Sequence, residues 1–221
     1  HHNNPHFKKH ENQFILGKTN EKSDNFDVFI FAPRNLTSIT IPSNIKIISP
    51  YSFENKNIRK IDIPSHVTKI MQFAFSSCKF LSEVNFTIDS ELKTIEKGAF
   101  NKTNIEKIIF PPNLCDLQDE WCYKQNFQEV SFMSNNPHFK IDENKIILGK
   151  TNEKEDDEEF DSIVFANKEI ESITIPSNIK KISPYSFVYN NINKIEFLQN
   201  SNLQVIGKCA FFNSRISKIF I

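Results

Sequence analysis

The sequence predicts a repeat solenoid, mainly β with short irregular or helical convex segments, whose horseshoe is interrupted by hairpin islands. Three observations carry this prediction: a large internal duplication, a shorter period of 22 to 24 residues inside each copy, and a small residue followed by Phe that returns about once per period.

The duplication is read directly from the chain. Asn3-Asn4-Pro5-His6-Phe7-Lys8 returns as Asn135-Asn136-Pro137-His138-Phe139-Lys140, an offset of 132. Leu16-Gly17-Lys18-Thr19-Asn20-Glu21-Lys22 returns at the same offset, but Ser38-Ile39-Thr40-Ile41-Pro42-Ser43-Asn44-Ile45-Lys46 returns at 134. A two-residue insertion therefore falls between them, within Glu155-Asp156-Asp157-Glu158-Glu159.

The shorter period appears as I-x-[IF] triplets beginning at Ile39, Ile61, Val84, Ile108, Val130, Ile173, Ile195 and Ile219. Three residues before each stands another apolar residue: Leu36, Ile58, Leu81, Ile105, Phe127, Ile170, Ile192 or Ile216. This is leucine-rich-repeat length, and the alternation fits one short strand per coil with its apolar side chains facing the core. Nine to eleven residues after most triplets begin comes a second element, Ile48…Ser52-Phe53, Ile70…Ala74-Phe75, Ile95…Ala99-Phe100, Ile182…Ser186-Phe187 or Ile206…Ala210-Phe211. With 22 Phe in the chain, one slot filled repeatedly predicts a spine of stacked rings. Leu117…Trp121-Cys122-Tyr123 breaks the small-Phe rule, so packing is expected to differ there.

Ile61-Asp62-Ile63-Pro64…Val67-Thr68-Lys69-Ile70…Ala74-Phe75-Ser76-Ser77-Cys78…Leu81-Ser82-Glu83-Val84 resembles the repeat of the BspA-like leucine-rich repeat family, the Treponema pallidum-type surface proteins of bacteria and parasitic protists, almost position for position. The likeness covers residues 36–134 and 170–221. It implies a non-enzymatic surface adhesin, secreted or held at the cell surface, that binds host matrix proteins, cell-surface proteins or other microbes. A cytoplasmic scaffold that assembles other proteins is the alternative.

The expected organisation is one continuous solenoid. Residues 1–2 read as a purification-tag remnant, 3–34 as a hairpin island and N-terminal cap, 35–134 as coils, 135–169 as a second island, and 170–221 as coils ending in mid-repeat. In the islands, Phe14-Ile15-Leu16 and Ile146-Ile147-Leu148 lead through Gly-Lys-Thr-Asn to Val28-Phe29-Ile30-Phe31 or Ile163-Val164-Phe165. Gly17 and Gly149 are expected to supply a positive φ at the turn, and the islands to bulge from the solenoid or extend its sheet. The apolar end at Ile219-Phe220-Ile221 is expected to favour self-association and to continue into further chain.

Composition narrows the partners. Lys+Arg and Asp+Glu both number 27, so no global field draws the chain to nucleic acid or an anionic membrane. No run reaches the roughly 20 apolar residues a membrane helix needs, and the N-terminus lacks a signal-peptide stretch. Catalytic signatures such as G-x-S-x-G, H-E-x-x-H and a P-loop are absent, and no cofactor or metal is expected.

The residues between the apolar strand positions define the candidate binding face: Thr40, Lys60, Asp62, Glu83, Asn85, Lys107, Ile109, Glu129, Thr174, Lys194 and Glu196. Ser38, Ser131, Ser172, Lys218 and Phe220 belong to the same row, which is expected to be polar, mixed in sign and largely unmatched from coil to coil. Ile109 and Phe220 stand out as apolar where exposure is expected. Elsewhere, the acidic run Glu153–Glu159 reads as a drifting loop tip more readily than as a calcium site. His6 and His138 read as structural. Cys78 reads as a small buried hydrophobe, and Cys115 and Cys122 are too weakly placed to establish a disulfide. N-x-[ST] triplets occur at Asn35, Asn85 and Asn101.

Overall fold

The computed structural model of the chain describes residues 4–34, 36–123, 127–151 and 159–220. The tag-like His1-His2, Asn35 and most of the acidic run lie outside the described residues. The chain divides into two compact units, His1–Gln125 with Ser131–Ser134, and Asn126–Val130 with Asn135–Ile221. Each is a β-solenoid, and no described residue is helical, so the convex segments are irregular turns.

Unit 1 carries β1 (Lys8–Lys9), β2 (Ile15–Gly17), β3 (Val28–Phe31), β4 (Ile47–Ile48), β5 (Lys60–Asp62), β6 (Lys69–Ile70), β7 (Glu83–Asn85), β8 (Thr94–Ile95), β9 (Lys107–Phe110) and β10 (Asp116–Leu117). The residues of β11 (Glu129–Phe132) are shared between the units. Unit 2 carries β12 (Phe139–Ile141), β13 (Ile146–Gly149), β14 (Ser162–Ala166), β15 (Ser172–Ile175), β16 (Lys181–Ile182), β17 (Lys194–Phe197), β18 (Val205–Ile206) and β19 (Lys218–Phe220).

Most described coils contribute two strands, one to each of two rows. The triplet strands form one row, with β5 parallel to β7, and β15, β17 and β19 parallel in unit 2. Their inward side chains, such as Ile61, Val84, Ile108, Ile173 and Ile195, are buried. Most triplets then meet a turn-forming residue. Pro42, Pro64 and Pro176 each fix φ at a turn start, and their carbonyls accept the amides of Ile45, Val67 and Ile179 at 3.1 Å. The coils that begin at Val84 and Ile195 turn instead through Thr87 to Ser90 and Leu198 to Ser201, and these account for the 24-residue spacings.

The second row is a ladder whose neighbouring strands pair over two residues each. In unit 1 it runs β3, β4, β6, β8, β10, all parallel, and in unit 2 β14, β16, β18. The islands extend this ladder. In each island three strands pair antiparallel, β1-β2-β3 or β12-β13-β14, and the third strand takes the ladder position ahead of the first coil.

After the ladder strand, each coil closes through a turn bonded to the next coil. The amides of Phe53, Phe75 and Phe100 donate to the carbonyls of Ala74, Ala99 and Trp121 at 2.8 to 2.9 Å. Flanking residues hold left-handed backbone, with φ of 58° at Tyr51, 55° at Phe73, 69° at Gly98 and 60° at Glu120. The expected positive φ at Gly17 and Gly149 is not found; in the hairpin turns Gln13 and Lys145 adopt it instead, at 65° and 59°. The two glycines serve for room: a Cβ at Gly17 would lie 3.0 Å from Ile30 Cδ1, and one at Gly149 2.8 Å from Val164 Cγ2.

The Phe spine is present and longer than expected. Phe14, Phe29, Phe53, Phe75 and Phe100 follow one another with ring centroids 4.6 to 5.4 Å apart, all fully buried. In unit 2, Phe187 stacks on Phe211 at 5.0 Å over a separate cluster of buried Ile residues. At the exceptional coil, the turn bonds align Trp121 with Ala99 and Cys122 with Phe100, so the large and small residues have exchanged slots. Trp121 then meets Phe110 edge-on at 5.3 Å.

Candidate functional site

The triplet row fixes the candidate residues at the pitch of the ladder. Parallel register places Lys60 beside Glu83 and Asp62 beside Asn85. Lys60 Nζ lies 2.8 Å from Glu83 Oε1 and 3.6 Å from Asp62 Oδ1, and Asn85 Nδ2 donates to both Asp62 Oδ1 and Glu83 Oε1 at 2.8 Å. Here the expectation of a row unmatched from coil to coil is corrected: in-register strands about 4.8 Å apart bring long side chains of adjacent coils into contact. The hydrogen bond from Lys60 is the main cause holding the Glu83 carboxyl below its usual range, and the same bond raises Lys60.

Unit 2 repeats the arrangement with a variation. Register sets Ser172 beside Lys194 and Thr174 beside Glu196. Lys194 Nζ lies 3.1 Å from Glu196 Oε2 and 4.9 Å from the centre of the Phe220 ring. Thr40, Lys60, Asp62, Glu83, Lys107, Glu129 and Thr174 are exposed, whereas Asn85, Ile109, Lys194 and Glu196 are half-buried. Ile109 is thus less exposed than its strand position predicts.

Identical residues behave differently in the two units. Ser172-Ile173-Thr174-Ile175 forms β15, but Ser38-Ile39-Thr40-Ile41 is not a strand. A cavity of about 280 Å³, lined by Ile39, Thr40, Asp62 and Ile63 among others, lies where the pairing to β5 would fall.

The islands bring polar groups together that the sequence reading left apart. Asp27 accepts the Thr19 amide at 2.8 Å and the Thr19 hydroxyl at 2.7 Å, and Lys46 Nζ stands 3.9 Å away. Asp161 does the same with Thr151 at 2.7 and 2.6 Å, and with Lys180 at 3.0 Å. Burial pushes both carboxyls up, but the threonine bonds and the lysines outweigh it and hold both below the usual range. The duplication itself is the signal that could have found this clip, since Thr19, Asp27 and Lys46 all recur.

The remaining candidates resolve simply. No disulfide joins the four cysteines; burial pushes Cys78 up to about 11 and also raises Cys122 well above its ordinary value. Asn101 is buried, and its side-chain oxygen accepts the Tyr123 amide, which ties the side chain into the fold. Among the described residues no three His, Cys, Asp or Glu side chains group to hold a metal ion, and no helix is long and apolar enough to cross a membrane.

Two rows of short parallel strands, leucine-rich-repeat spacing and a buried Phe spine define a leucine-rich-repeat solenoid. The model of the BspA type leucine rich repeat region matches in six copies over residues 24–144 and 154–221, and the chain belongs to that family. The match takes in parts of both islands, including the ladder strands β3 and β14.

Among solved structures, the chain resembles the pneumococcal vaccine antigen PcpA, with a TM-score of 0.69 and 22% identity over 80% of this chain and 43% of that one. It also resembles a leucine-rich cell surface protein from Faecalibacterium prausnitzii A2-165, with a TM-score of 0.62 and 17% identity over 82% of this chain and 52% of that one. A leucine-rich repeat protein from Eubacterium ventriosum ATCC 27560 follows, with a TM-score of 0.58 and 19% identity over 80% of this chain and 54% of that one. The chain spans about half the length of these structures, and the likeness at such identity is one of fold. A search of curated protein sequences gives no match.

Proposed function

We propose that the chain is a non-enzymatic protein-binding module, a surface adhesin that recognises host matrix or cell-surface proteins through the triplet face. The observation that carries this reading is the Lys60–Glu83–Asn85–Asp62 network, which holds polar groups of adjacent coils at fixed spacing on a ladder of strands. Preorganised side chains lose little freedom on binding, which favours recognition of a large partner. One similar structure is a leucine-rich cell surface protein and another a vaccine antigen, which supports the surface location. Titration of the purified chain onto immobilised extracellular matrix proteins and intact epithelial cells, across a salt series, tests the reading. Saturable binding that weakens after charge reversal at Lys60, Lys107 and Lys194 is expected; folded, monomeric protein that binds neither would overturn it.

A second reading, an intracellular assembly scaffold, draws on the absence of a disulfide among the four cysteines, the engaged amide nitrogen of Asn85 and the burial of Asn101. Unmodified thiols and bare sequons on freshly isolated native protein would favour it. A crosslinked or glycosylated native form would remove it.

A further inference from the structure

In unit 2 the turn joining β12 to β13 stands beside the triplet row, and the two enclose a groove of about 660 Å³. The island wall presents Lys140, Glu143 and Asn144; the strand wall presents Thr174, Lys194 and Glu196. The volume falls within the range of built ligand sites. Its turn is held in place: Asp142 Oδ1 accepts the Ile146 amide at 2.9 Å, and the Asp142 carbonyl accepts the Lys145 amide at 3.0 Å. On the facing wall, the Lys194–Glu196 contact at 3.1 Å fixes both side chains on β17.

We propose that this groove binds an extended polypeptide segment that carries both a basic and an acidic side chain, a reading that rests on the protein-binding role above. Charge selects the occupant. Lys140 and Glu143 are exposed, and neither joins an ion pair among the described residues, so the island wall offers one ammonium and one carboxylate three positions apart. A uniformly anionic polymer, whether sulfated glycan or nucleic acid, would set its charges against Asp142, Glu143 and Glu196. Among the described residues no aromatic ring lines the groove, so a neutral sugar finds no flat face there to stack on. A peptide supplies both signs, and its main chain suits the hydroxyl of Thr174 and the amide of Asn144.

The test pans a dodecapeptide phage library on the immobilised full chain. Recovered peptides are then titrated by fluorescence polarisation against the chain, a Lys140→Glu/Glu143→Lys double variant and Thr174→Trp, with heparin as competitor. Melting curves check each variant, whose substituted side chains are all exposed. Mixed-charge peptides should bind saturably, each variant should weaken them by about tenfold or more, and heparin should leave them bound. The proposal is overturned if no peptide is recovered, if the variants bind as well as the parent, or if heparin displaces the peptides. Matrix and cell binding, measured in parallel on the same proteins, separates the two levels. Matrix or cell binding with no groove peptide recovered keeps the adhesin and discards the groove, whereas groove peptides without matrix or cell binding do the reverse.

Discussion

Phe75 and Phe100 lie with ring centroids 5.4 Å apart and planes 3° from parallel, both fully buried on adjacent coils. Each ring closes the space left by its neighbour, so the spine passes packing from coil to coil where no long strand does. Phe75→Ala should cost about 3 to 5 kcal/mol in urea unfolding. Phe211 in the last described coil is only half-buried, and Phe211→Ala should cost clearly less. Equal losses would mean that the spine does not set coil stability.

Ser52 and Ser186 occupy the small slot that Ala fills at 74, 99 and 210, and their buried hydroxyls have no hydrogen-bond partner among the described residues. Ser52→Ala and Ser186→Ala should each raise stability by about 1 kcal/mol, because a desolvated hydroxyl is removed without loss of packing. A lower melting temperature for both would contradict this account.

Gly98 combines a φ of 69° with a position where an added Cβ would fall 2.3 Å from the Phe73 ring. Gly98→Ala should destabilise by roughly 1 to 3 kcal/mol. Adding Phe73→Ala should leave only the backbone part of that penalty, which a double-mutant cycle reads directly.

The Thr19–Asp27 and Thr151–Asp161 clips make stability depend on acid. Their folded carboxyl pKa values lie below the unfolded value of about 3.9, so the contribution is complete above that pH and lost as pH falls through the folded value. Thr19→Val should cost on the order of 1 kcal/mol at pH 7 and progressively less below pH 4. A cost independent of pH would show that the hydroxyl acts through packing.

Thiol reactivity should follow burial. With Ellman's reagent on native protein, exposed Cys209 should react first, while buried Cys78 and Cys122 should react only on unfolding. Fast modification of Cys78 would show that its coil opens readily.

Much of this fold was legible because its signals are local and repeated. The triplets, the small-Phe pairs and the duplication each set one position per coil, and a sheet that repeats in register needs little else. The spine members Phe14 and Phe29 escaped the reading because they lie in islands whose spacing differs from that of the coils. So did β1 and β12, whose two or three residues alternate too briefly to register. The side-chain network of Lys60, Glu83, Asp62 and Asn85 depends on pairing between coils, which no single stretch encodes. Ser38–Ile41 and Ser172–Ile175 make the limit plain: the same four residues form a strand in one place and not in the other, so neighbouring backbone decides.

In both units the island ends in a strand that offers the next coil a two-residue parallel edge, with Val28 and Phe29 facing Ile47 and Ile48, and Ser162 and Ile163 facing Lys181 and Ile182. An island is therefore a starter piece whose last strand is the edge on which the coils after it begin their ladder. Each unit thus carries its own starting edge, so the template for its ladder is encoded in the same stretch of chain as the coils that copy it.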